Sequence, residues 1–88
     1  AAADPSGAGL IQRYFERLSR AFRSTLTNAR DSGEIGSLVD VSAEAESLTA
    51  TVLGLFVMLR AEARPAAIKG AVSVALGRLE SLLSLPPR

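Results

Sequence analysis

Residues 41–80, VSAEAESLTATVLGLFVMLRAEARPAAIKGAVSVALGRLE, decide the fold, because they carry two long apolar patterns divided by one short break. Laid out at about 100° per residue, Leu48, Val52, Leu55, Phe56 and Leu59 form a bulky stripe on the first pattern, and Ala50, Gly54, Val57 and Ala61 form a smaller stripe on the opposite side. Only the narrow sector of Glu46, Thr49 and Arg60 is polar. A helix that is apolar nearly all round is buried on two sides, so this one is expected to lie between its own domain and something else. Asp40 and Ser42 are both suited to cap its start, and it is expected to run to about Ala61. On this reading Leu55→Ala should cost about 2–5 kcal/mol, as for a buried core leucine.

Pro65 marks the next helix, since proline suits a first turn where its missing N–H has no partner. That helix is expected to run to about Ser84, with Pro86 and Pro87 stopping it. The break over Glu62–Arg64 is so short that the two helices must form an antiparallel hairpin. The second helix also has two faces. Ile68, Val72, Ala75, Leu76, Leu79, Leu82 and Leu83 are the bulky one, and Ala66, Gly70, Ser73, Val74, Gly77 and Ser81 lie opposite. An interior glycine costs a helix roughly 1 kcal/mol against alanine, and Gly70 and Gly77 fall one heptad apart on one side. Close approach of another helix would offset that cost through dispersion contacts; an exposed, tolerated face is the plain alternative.

Upstream, Ile11, Phe15, Leu18, Phe22, Leu26 and Ala29 recur at spacings of three and four and predict an amphipathic helix from Gly9 to about Ala29. Arg13, Glu16, Arg17, Arg20, Arg23 and Arg30 occupy its other side. They read as a solvated face, because no aromatic residue interleaves with them and Glu16 can pair with Arg20; a phosphate-binding stripe is the other reading. Gly33 supplies the left-handed residue needed just past a helix end. This helix is expected to cover the bulky stripe of the next. Residues 1–9, rich in Ala, Gly, Ser and Pro, read as a loop or a cut end, which leaves residues 10–85 as the domain.

Composition narrows the chemistry. With 48% hydrophobic and 22% charged residues the chain is globular in type, but Tyr14, Phe15, Phe22, Phe56 and Met58 are its only ring or thioether side chains, so the core must be aliphatic. The formal net charge of +1 provides no field to draw the chain onto nucleic acid or an anionic membrane. Without Cys there is no disulfide or thiolate chemistry, and without His the commonest general base and metal ligand is missing. Glu44 and Glu46, two apart, point to different sides of their helix. No catalytic, cofactor-binding or metal-binding residue is therefore assigned, and the chain is read as a non-enzyme. The apolar run Leu48–Leu59 is shorter than the roughly 18–20 residues of a membrane span. Ala1–Gly9 has no basic start and no apolar segment of a signal peptide, so no membrane contact and a cytoplasmic location are expected.

The segments Leu18-Ser-Arg-Ala-Phe-Arg-Ser-Thr-Leu26 and Ala29-Arg-Asp-Ser-Gly-Glu-Ile35 are followed by Asp40 and an apolar helix carrying Gly54-Leu55. After the short break comes Ala66-Ala-Ile-Lys-Gly-Ala-Val-Ser-Val-Ala-Leu-Gly-Arg-Leu79. Together, over about residues 10–83, they resemble the C-terminal part of TetR-family transcriptional regulators. The resemblance implies an all-α fold of three helices whose last two pair with a second copy as a four-helix-bundle homodimer. The interface would be built on Ala50, Gly54, Val57, Ala61, Ala66, Gly70, Ser73, Val74, Gly77 and Ser81, with the bulky face of the last helix as the alternative. It also implies a small apolar effector in the full-length protein, with Phe15, Leu18, Phe22, Leu48, Val52 and Phe56 forming one wall of its pocket. DNA would be contacted only through an N-terminal helix-turn-helix domain absent from these residues. A stand-alone helical module binding a partner helix is the other function the same apolar hairpin suits.

Overall fold

The computed structural model describes residues 5–83 as three helices, α1 (Pro5–Asp31), α2 (Val41–Arg60) and α3 (Pro65–Leu82). The fold is all-α, with no strand among the described residues. α1 starts four residues before the expected Gly9, so residues 5–9 are helix rather than loop; Pro5 opens it, where its fixed φ fits a first turn. The expected stop at Pro86 and Pro87 lies outside the described residues.

Each helix end has a physical cause. At the end of α1, Gly33 adopts φ 85° while its N–H donates to the Arg30 carbonyl at 3.1 Å and the Glu34 N–H donates to Ala29 at 2.8 Å. These are the paired bonds of a left-handed helix stop. Of the two candidate caps for α2, Asp40 is the one used: its carboxylate accepts from the Ala43 N–H at 3.1 Å. α2 ends in the same left-handed stop as α1, with Glu62 donating to Leu59 at 3.2 Å and Ala63 to Met58 at 2.9 Å. Here, however, the left-handed residue at φ 55° is Glu62, which carries a Cβ. Glu62→Gly is therefore expected to raise stability by about 0.5–1 kcal/mol, and Gly33→Ala to lower it by about 1–2 kcal/mol. Urea denaturation of the two variants checks both signs at once.

α2 is the middle element; α1 and α3 pack on it and their backbones do not meet. The pairing of α2 with α3 is antiparallel, as expected, since Glu44 in the first turn of α2 reaches Arg78 near the end of α3. The short core sits at one end of the layer, where Leu26, Ile35, Val41, Ala45 and Leu82 are buried and Phe22, Leu48 and Leu79 pack on them. Gly36 N–H donates to the Leu82 carbonyl at 3.3 Å, tying the α1–α2 loop to the end of α3.

α1 covers only part of the bulky stripe of α2: Leu48 packs on the core beside Leu26 and Val52 is half-buried, but the cover ends there. Its line of contact runs through small residues: Ala45 and Thr49 are fully buried and Ser19 nearly so, while Phe56 and Leu59 stay more than half exposed. Small side chains let two helix backbones come close, and that approach brings the helices together along the small line, leaving Phe56 and Leu59 outside. Thr49 thus leaves the solvated sector to which its polarity assigned it. Its hydroxyl donates to the Ala45 carbonyl at 2.7 Å, so burial strands no polar group. Thr49→Val, which keeps the shape, should change stability by less than about 1 kcal/mol. Thr49→Leu should cost about 1–3 kcal/mol by overpacking this crossing, and thermal unfolding of the pair distinguishes the two.

Leu55 is half-buried between α2 and α3, outside the core. The whole of α2, at 20 residues, is long and apolar enough by length and composition to cross a membrane, a feature the shorter run Leu48–Leu59 conceals, and most of it is uncovered by the rest of the chain.

Candidate functional site

The three helices lie in one layer, with α1 and α3 both packed on α2 and not on each other. Apart from the short core at one end, such a layer encloses little of its apolar surface. The uncovered surface of α2 and α3 includes large apolar side chains: Phe56, Val57, Leu59, Val74 and Leu76 are each more than half exposed.

Two sides of α2 and α3 remain open. Of the ten residues expected at a dimer interface, Gly54 is half-buried and the other nine, among them Val57, Gly70, Val74 and Gly77, are exposed. Gly54 and Val74 line one groove of about 610 Å3 between the two helices, so the small stripes of α2 and α3 lie side by side on one face. A Cβ built on Gly54, Gly70 or Gly77 meets nothing within 4 Å. Packing within one chain therefore does not require glycine at any of the three.

The six residues expected at an effector wall are divided by the fold. Phe22 and Leu48 are packed onto the buried core, and Leu18 and Val52 are half-buried along α1 and α2. Phe15 lines a polar groove of about 350 Å3 with Ser19, Arg23 and Glu46, while Phe56 lines a separate apolar groove with Ile11, Tyr14 and Leu53. Phe15 and Phe56 thus belong to different recesses. The apolar one has Val57 and Ala61 on its far wall, which makes it continuous with the small-residue stripe of α2.

The charges sort by helix. Glu44 and Glu46 do serve different sides: Glu44 accepts from Arg78 of α3, with Nε at 3.1 Å from Oε1 and a second contact from the guanidinium to Oε2, while Glu46 faces α1. The hydrogen bond from Arg78 to Glu44, and then the carboxylate's charge, push the Arg78 guanidinium above its ordinary value. Sequence reasoning missed this pair, although an antiparallel hairpin folded about residues 61–64 places residue 44 beside the last turns of α3. Arg13, Arg17 and Arg20 are exposed along α1 and Arg23 donates to the Ser19 hydroxyl at 3.2 Å. The expected Glu16–Arg20 pair does not form; Arg30–Asp31 and Arg78–Glu44 are the ion pairs among the described residues. Long side chains on a solvated helix face gain little from such pairing, so their rotamers are free to separate.

Comparison with protein-family models, with curated proteins and with solved structures yields no match to this chain.

Proposed function

We propose that the chain is the dimerisation and effector-sensing domain of a TetR-like bacterial transcriptional regulator, a cytoplasmic, non-enzymatic protein whose DNA contacts reside in an N-terminal domain outside these residues. The observation that carries the assembly half is a single layer of helices on which Phe56, Val57, Leu59, Val74 and Leu76 are each more than half exposed. A stable interface removes roughly 800 Å2 or more from each partner, and a two-fold contact through the α2–α3 face would cover Val57, Val74 and the groove between the two helices.

A two-fold contact suits this face because it lets both hairpins present the same surface, and four helices then enclose an aliphatic core. The regulator identity comes from the resemblance of residues 10–83 alone. In such a regulator, two-fold symmetry mirrors the two half-sites of an operator. An effector lodged beside α1 would alter the separation of the two DNA-reading heads.

Sedimentation equilibrium at micromolar concentration tests the reading. Twice the chain mass, with more than about 1,200 Å2 buried in total, is the expected state. A monomer at these concentrations would sink it and leave the partner-helix module as the better account.

A further inference from the structure

The first half of α1 and the last half of α2 diverge around an open groove of about 610 Å3 walled by Ile11, Tyr14, Leu53, Phe56 and Val57, with Arg60 at its α2 end. Ile11, Tyr14, Phe56 and Val57 are each half exposed or more, so four large side chains offer apolar surface to the same space. The volume lies within the roughly 300–1,000 Å3 of small-molecule sites. Arg60 sets the chemistry. No carboxylate among the described residues lies within 4.0 Å of its guanidinium, which leaves this wall with an unmatched positive charge beside an apolar surface.

We propose that this groove binds an amphipathic organic anion, with an apolar body laid against Ile11, Tyr14, Leu53 and Phe56 and a carboxylate held by Arg60, leaving Val57 at its rim to the face that meets a second copy. A neutral apolar molecule would strip water from the guanidinium without replacing its hydrogen bonds. An amphipathic cation would be repelled. A carboxylate meets the planar fork of arginine with two parallel hydrogen bonds and cancels the charge. The inference deepens the effector-sensing reading by naming the class of ligand, and moves the site: of the six residues expected at the effector wall only Phe56 contributes. Binding in the groove needs no second chain.

Tyr14 is the sole tyrosine and the chain has no tryptophan, so tyrosine emission reports on this groove alone. The 88-residue chain would be titrated with decanoate, decanol and decyltrimethylammonium, each below its micelle-forming concentration, following Tyr14 emission and heat. Decanoate should bind saturably and at least about tenfold more tightly than decanol, with the cation weakest. Arg60→Gln should bring decanoate to the level of decanol with helix content unchanged by circular dichroism, and Phe56→Ala should weaken both. Equal affinity for decanoate and decanol, absence of binding, or a preference that survives Arg60→Gln would overturn the proposal, the last by assigning the carboxylate to the arginines of α1. Decanoate binding that weakens as protein concentration rises would also overturn it, by making the groove the seat of a second copy. Sedimentation of the same samples separates the two readings. A monomer that binds decanoate removes the dimer and keeps the groove, and a dimer that does not bind it removes only the groove.

Discussion

Gly70→Leu and Gly77→Leu should stabilise the single chain and weaken its dimer, two effects of opposite sign from one substitution. Within the chain a side chain at either position enters open space, and replacing an interior helical glycine with leucine favours the helix by roughly 0.5–1 kcal/mol. Across a two-fold interface each substitution occurs twice. Inserting bulk into a close helix contact costs roughly 1–3 kcal/mol per site, so the dissociation constant should rise more than about tenfold. Arg20→Ala, on the exposed side of α1, should leave it unchanged. Sedimentation at several concentrations measures the association, and thermal unfolding at the lowest concentration measures the chain. A dimer indifferent to both glycine substitutions would move the interface to the bulky face of Val72, Leu76 and Leu79.

Leu26→Ala should be the most damaging single truncation, at about 2–4 kcal/mol. Leu26 is 7% exposed in a core with only five buried apolar residues among the described residues, so neighbours are too few to close the cavity. A chain of this length has a total stability of roughly 4–13 kcal/mol, so the loss would remove a large share of it. Leu55→Ala supplies the contrast. Half-buried in the groove between α2 and α3, Leu55 should cost about 1 kcal/mol in the isolated chain, less than its place on the bulky stripe suggests. Chemical denaturation at low and high protein concentration separates the two. Leu26 should cost the same at both; a Leu55 cost that grows with concentration would show that a second copy covers the groove between α2 and α3. Equal costs for the two at high dilution would contradict the placement of the core.

Local chemistry was legible without coordinates. Gly33 beyond α1, Asp40 before α2 and Pro65 at the start of α3 stand where backbone geometry demands their kinds of residue, because a left-handed stop, a capped N–H and a donor-free first turn depend on near neighbours only. The antiparallel hairpin followed from the shortness of the break, and the two small stripes of α2 and α3 from periodicity. What periodicity does not contain is which stripe a neighbour selects. Ala45, Thr49 and Ser19 win the α1–α2 contact because small side chains permit close approach, and that choice, made jointly by two helices, expels Phe56 and Leu59 from cover. The same crossing splits Phe15 from Phe56 and opens the groove beside Tyr14 and Arg60. Helix starts and stops are properties of a few consecutive residues, whereas grooves arise from the angle and offset between helices, which depend on side chains far apart in the chain.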